Sequence, residues 1–180
     1  MRILILEDDP VRTQMFRSVL DAEGFEYLIC TDPVEFLSEL VFSVGNIWLL
    51  SLDHDLSRVE RSCGTISIDC GCAVAEFMKR MRPVCPVILH SQNVLGREKM
   101  AETLKQANWS VSTVTNSPEL EGTWIENSWI EMTRVAREKL GTTSDLEQLL
   151  KASYSEEIHK MIEEFKKNKP DVPKDFMGGR

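Results

Sequence analysis

The sequence predicts an α/β fold: a doubly wound, five-stranded parallel sheet with helices on both faces, followed by a helical C-terminal extension. Two observations predict it. Short, nearly unbroken apolar runs such as Ile3 to Leu6 and Ile47 to Leu52 have the composition of strands buried on both faces of a parallel sheet. Each run is followed by turn signals and then by a stretch of helical character, so that strand and helix alternate, which implies right-handed crossovers.

The first strand is Arg2 to Leu6, and it ends in Glu7-Asp8-Asp9-Pro10. Asp9 as N-cap and Pro10 at the first helical position start a helix to about Ala22, which Gly24 stops. Glu26 to Cys30 is the second strand. Asp32, with Glu35 three residues on, forms a capping-box variant that opens a helix to about Phe42. Ile47 to Leu52 is the third strand and ends in Asp53-His54-Asp55-Leu56. The polar segment 57–69 is longer than most strand–helix loops. A third helix spans about Gly71 to Met81, and Pro86 to Leu89 is the fourth strand, ending in His90-Ser91-Gln92-Asn93. Arg97 to Ala107 is the fourth helix, and Trp109 to Val114 contains the fifth strand. Ser117-Pro118-Glu119 starts the last helix of the domain, where Ile125, Trp129, Met132, Ala136 and Leu140 form one apolar stripe.

Residues 1–141 therefore make the α/β domain and 142–180 an extension. Ser144 to Glu147 and Ser153 to Glu156 each read as a capping box. Glu156 to Lys169 carries an apolar stripe at Ile158, Met161, Ile162 and Phe165, a packing or partner surface. The Pro- and Gly-bearing end reads as disordered. The last helix, 119–140, and this tail are the faces expected to meet a second copy or a protein partner.

The formal net charge of −8, from 21 basic and 29 acidic residues, argues against broad binding to duplex nucleic acid or to an anionic membrane. No apolar run approaches the length of a transmembrane span, and the first one is too short for a signal peptide. The five cysteines are then expected as free thiols in a reducing cytoplasm.

In an open parallel sheet, ligands bind outside the carboxyl ends of the strands, near the switch in strand order. A flavodoxin-like order makes strands one, three and four neighbours, so Glu7-Asp8, Asp53-His54-Asp55 and His90-Ser91-Gln92-Asn93 converge there. Like-charged carboxylates about 4 Å apart repel by roughly 4 kcal/mol at an effective dielectric of 20. A bound Mg²⁺ or Mn²⁺ removes that cost, and oxygen ligands suit a hard cation. A single acid after a strand is usually a helix cap, as Asp9 is here; three clusters at three strand ends are harder to explain that way.

The opening Arg2-Ile-Leu-Ile-Leu-Glu-Asp-Asp-Pro10, with Asp53 after the third strand and Ser91 after the fourth, resembles the receiver domains of two-component response regulators over about residues 1–140. The resemblance implies that Glu7 and Asp8 are the acidic pair and Asp53 the phospho-accepting position. It further implies that Asp55 reaches the metal through its carbonyl and that Ser91 contacts a phosphoryl oxygen. The strand-five lysine of ordinary receivers has no counterpart in Val114-Thr115-Asn116-Ser117-Pro118. Asp53-His54-Asp55-Leu56 together with His90-Ser91-Gln92-Asn93 is similar to a receiver subgroup described as cyclic-phosphate-processing.

Histidine exchanges protons near neutral pH, so His54 and His90 beside a metal-bound phosphate suit general acid–base work. Strand alternation qualifies this for His90: if Ser91 faces the crevice, His90 begins by facing away. Asn93 either orients a phosphate oxygen or caps the fourth helix. Cys63, Cys70 and Cys72 near His54 do not follow a standard zinc spacing, and Cys72 reads as a small core residue. Trp124 and Trp129 read as packing anchors, and His159 as a solvated tail residue.

The leading expectation is metal-assisted processing of a small phosphate ester, in particular hydrolysis of a cyclic phosphodiester. Glu7, Asp8, Asp53 and Asp55 would serve the metal, and Asp53, His54, His90, Ser91 and Asn93 the chemistry, with Asp53 as ligand or as nucleophile. The alternative is a signalling receiver phosphorylated on Asp53. A third reading is a degenerate receiver that acts as a binding scaffold.

Overall fold

The computed structural model describes residues 1–56, 70–114 and 123–140. The long loop 57–69 with Cys63, the helix start at 117–119, and the whole tail with its two capping boxes, its apolar stripe and His159 lie outside the described residues.

The elements are β1 (Arg2–Leu6), α1 (Pro10–Glu23), β2 (Tyr27–Cys30), α2 (Pro33–Phe42), β3 (Ile47–Leu52), α3 (Gly71–Met78), β4 (Val87–Leu89), α4 (Val94–Gln106), β5 (Val111–Thr113) and α5 (Ile130–Leu140). The strands pair in the order β2-β1-β3-β4-β5, all parallel, which is the flavodoxin-like order. No helix among the described residues is long and apolar enough to cross a membrane.

Local chemistry accounts for the helix ends. Asp9 accepts from the amides of Val11 and Arg12, and Asp32 from those of Val34 and Glu35; each such cap contributes about 1 kcal/mol. Gly24 closes α1 with φ +69°, a left-handed conformation that a side chain would strain. Helix α4 begins at Val94 rather than at the expected Arg97, because the Asn93 side chain accepts the Gly96 amide as its cap. Helix α3 ends at Met78, short of the expected Met81, and a turn at Lys79–Arg80 follows.

Strand alternation divides the core between the two faces of the sheet. Leu4, Leu6, Leu50, Leu52 and Leu89 pack under α2, α3 and α4. Ile3, Ile5, Leu49 and Ile88 pack with Phe16 of α1 and with Trp124, Trp129 and Ile130. The register aligns Leu6 with Leu52 and Leu52 with Leu89, so Glu7, Asp53 and His90 leave their strands at one level.

Just before α5, residues Ile125–Trp129 form a π-helical turn, which the regular 3.6-residue stripe does not anticipate. Residues five apart sit roughly 140° around an α-helix. An i→i+5 turn brings them back onto one face, so Trp124 and Trp129 both face the sheet. Downstream, Ile130, Thr133 and Ala136 are buried while Met132 is only half-buried, which shifts the predicted stripe.

Candidate functional site at the carboxyl edge of the sheet

Glu7 is fully buried at the end of β1, and Asp53 is 1% exposed at the end of β3. Two buried carboxylates need a counter-charge, and Arg12 provides it. Its Nε donates to Glu7 Oε2 at 2.8 Å, and its Nη2 donates both to Glu7 Oε1 at 2.8 Å and to Asp53 Oδ2 at 2.6 Å. Arg12 is the third residue of α1, where a side chain reaches back toward the helix N-terminus and so over the strand end. The Asp9 amide also donates to Glu7 Oε1, and the His54 amide to Asp53 Oδ1.

The carboxylates of Glu7, Asp8 and Asp53 lie within 4.8 Å of one another. This all-oxygen donor set fits a hard divalent cation such as Mg²⁺ or Mn²⁺. Asp55, whose expected reach to the metal is through its carbonyl, uses its exposed carboxylate otherwise: Oδ1 lies 2.6 Å from His54 Nδ1 and accepts from the Asn93 amide nitrogen at 3.1 Å.

Burial raises the Asp53 carboxyl above its ordinary range, against the pull of His90, Arg12 and Ser91. Burial pushes Glu7 the same way, but His90 and Arg12 outweigh it and hold its pKa at about 2 instead of 4.5. The signs of the two acids therefore differ. Glu7 contributes stability that is complete above pH 4.5 and lost as pH falls toward about 2, worth about 3 kcal/mol. Asp53 works against the fold at neutral pH and is relieved on acidification. In acid titrations of stability, Glu7→Gln should flatten the wild-type slope across that window; parallel wild-type and variant curves would show that Glu7 is not held low.

The structure separates the two histidines. His54 is half-buried, and its ring edge lies against Gly96 at the start of α4: a Cβ on Gly96 would fall 2.4 Å from His54 Cδ2 and 2.5 Å from Nε2. Because Asp55 accepts at Nδ1, the network assigns the proton to Nδ1 and leaves Nε2 as an acceptor. Gly96→Ala should displace this ring at a stability cost of roughly 1–3 kcal/mol. A His54 imidazole NMR shift unchanged in that variant would contradict the packing.

His90 is 1% exposed. Strand alternation turns it away from the crevice, onto the α1 and α5 side. There it stacks on Trp124 at 5.7 Å and meets the edge of Phe16 at 5.2 Å. Its Nδ1 is 2.7 Å from Ser51 Oγ, which also accepts from the Trp129 indole at 2.9 Å. The tryptophan can only donate, so the Ser51 hydroxyl is assigned as donor to Nδ1. Nε2 then carries a proton and faces Glu7 Oε2 across 3.4 Å. The pairing of His54 and His90 around one phosphate, as read from the sequence, is thus replaced by one histidine at the rim and one behind Glu7. Ser91 is buried just past β4, where its hydroxyl accepts from the Asn93 amide at 3.2 Å and favours the charged form of Asp53. Arg97 of α4 donates to the Ser91 carbonyl. Asn93 caps α4, the first of its two readings borne out, and its amide nitrogen donates to Asp55.

Three participants escaped the sequence reading. Arg12 is one of two basic residues on α1, Ser51 is one hydroxyl within an apolar strand, and Trp129 reaches Ser51 only because of the π turn. The position of Arg12 three residues past a capping Asp-Pro was the available signal.

A family model described as the cyclic-phosphate processing receiver domain matches residues 2–106. Among solved structures, the chain is similar to the phosphorylated cyanobacterial phytochrome response regulator RcpA, at 17% identity over 72% of this chain and 90% of that one, with a TM-score of 0.51. It is similar to a response regulator receiver domain from Rhodospirillum rubrum at 18% identity, over 72% and 90% of the two chains, with a TM-score of 0.53. The beryllofluoride-activated NtrC4 receiver domain dimer matches at 15% identity, over 76% and 97%, with a TM-score of 0.50. At these identities the structural likeness shows the fold alone. No curated protein matches the chain.

Proposed function

Because this chain belongs to the cyclic-phosphate processing receiver domains, we propose that it carries out metal-assisted processing of a small phosphate ester, with hydrolysis of a cyclic phosphodiester as the reaction. The observation that carries this reading is the cluster of Glu7, Asp8 and Asp53 within 4.8 Å, with His54 next in the chain and oriented by Asp55.

Glu7, Asp8 and Asp53 would hold a divalent cation, which when bound neutralises charge and polarises a phosphoryl oxygen. Arg12, set between two carboxylates, is placed to pass its guanidinium to phosphoryl oxygens, the role a strand-five lysine fills in ordinary receivers. Ser91 and Asn93 orient the oxygens. His54, with Nδ1 tied to Asp55, takes a proton from the attacking water at Nε2 and returns it to the leaving alkoxide. His90 is a positioning residue, held by Ser51 and set against Glu7.

The signalling reading is favoured by one observation, the place of Asp53 at the end of β3 in a receiver fold. A single pair of assays separates the two. The purified chain is given Mg²⁺ with a panel of 2′,3′-cyclic nucleotides and cyclic sugar phosphates, and in parallel Mg²⁺ with a small phosphodonor. Turnover of a cyclic phosphate is expected. No turnover on any of them, together with stable phosphate on Asp53, would reverse the assignment.

A further inference from the structure

His54 also belongs to a second donor set, of a different chemical kind. His54, Cys70 and Cys72 each offer a ligand atom, and these atoms lie within 4.8 Å of one another. Sulfur, sulfur and imidazole nitrogen suit a borderline cation, whereas the neighbouring carboxylates suit a hard one. We propose that His54 Nε2, Cys70 Sγ and Cys72 Sγ form a Zn²⁺ site with a fourth position open to water.

Three features build this site. The backbone holds its two halves together: Asp55 and Cys70 form an antiparallel bridge, and the Gly71 amide donates to the His54 carbonyl at 2.9 Å. Asp55 Oδ1 engages His54 Nδ1 at 2.6 Å, the carboxylate–histidine support that fixes the tautomer and leaves Nε2 for a metal. Glycines permit the close approaches: a Cβ on Gly71 would fall 2.2 Å from the Asp53 carbonyl oxygen, and one on Gly96 would fall 2.4 Å from the imidazole edge. Cys72 Sγ lies 3.9 Å from the Gly96 carbonyl, on the same helix start that the His54 ring packs against. Zinc bonds of about 2.3 Å to sulfur and about 2.0 Å to nitrogen then require only a small closure of the three ligand atoms.

Thiols ordinarily carry their protons at neutral pH, so binding converts two S–H groups into metal thiolates and releases two protons to solvent. Loading would also occupy His54 Nε2, the proton carrier in the function proposed above. Inhibition of phosphate-ester turnover by Zn²⁺ is therefore a consequence that rests on that reading, whereas binding itself does not.

The test uses the full chain, reduced, with Co²⁺ alone and no phosphate compound. The expected result is a thiolate-to-cobalt charge-transfer band with the intense visible absorption of four-coordinate cobalt, abolished by Zn²⁺ competition. Release of close to two protons per ion should accompany it. Cys70→Ser/Cys72→Ser should remove the band, Asp55→Asn should weaken binding about 10–100-fold, and Asp8→Asn should leave the band in place. Absence of the charge-transfer band in the wild type, its survival in the double variant, or binding without proton release would each overturn the site. None of these outcomes depends on turnover, so failure here is distinct from failure of the proposed reaction.

Discussion

Replacing His54 by alanine should cut turnover of a cyclic phosphate by roughly 10²–10⁴, the usual contribution of a general acid or base, while Mg²⁺ binding persists. The carboxylates are untouched by the change, since Asp53 keeps its bond to the backbone amide of residue 54. His90→Ala should behave differently. It empties a buried site between Phe16 and Trp124 and strips Ser51 of a partner, so its main effect is on stability, roughly 1–3 kcal/mol for the orphaned polar group. Steady-state rates and melting curves on the two variants separate these roles. A His54 variant with wild-type turnover, or a His90 variant that is fully stable but inactive, would exchange them.

Arg12→Leu should be the most destabilising single change at the site. It leaves Glu7, at 0% side-chain exposure, and Asp53, at 2%, facing each other without their cation. Breaking a buried pair in this way costs about 3–5 kcal/mol. Mg²⁺ should restore more stability to this variant than to wild type, because the metal no longer has to displace the guanidinium. Denaturant melts with and without Mg²⁺ read both effects. Equal Mg²⁺ responses in the two proteins would show that Arg12 and the metal do not compete.

The fold was legible because its signals are local. The β1 and β3 runs are apolar throughout, and Asp9-Pro10 and Asp32-Pro33 mark helix starts by cap chemistry that needs no tertiary context. The convergence of Glu7, Asp8 and Asp53 followed from strand order alone. The rest depended on contacts that periodicity does not carry. The π turn at Ile125–Trp129 has no local signature, yet it delivers Trp124 to His90 and Trp129 to Ser51. Arg12 meets Asp53 across 41 residues of chain. The burial of His90 was readable in the parity of β4 but competed with the motif reading of His90-Ser91. The nearness of His54 to Cys70 and Cys72 depends on the bridge between Asp55 and Cys70, which closes a loop the sequence leaves open.

If Glu7, Asp8 and Asp53 form one site for a divalent cation, a Mg²⁺ titration of the melting temperature reads that site with no substrate present. A ligand that binds only the native state stabilises it by RT ln(1 + [L]/Kd). The wild-type melting temperature should therefore climb with millimolar Mg²⁺, and Asp8→Asn and Asp53→Asn should lose that response. A wild-type curve that millimolar Mg²⁺ leaves unmoved, or an Asp53→Asn protein that responds as wild type does, would contradict it.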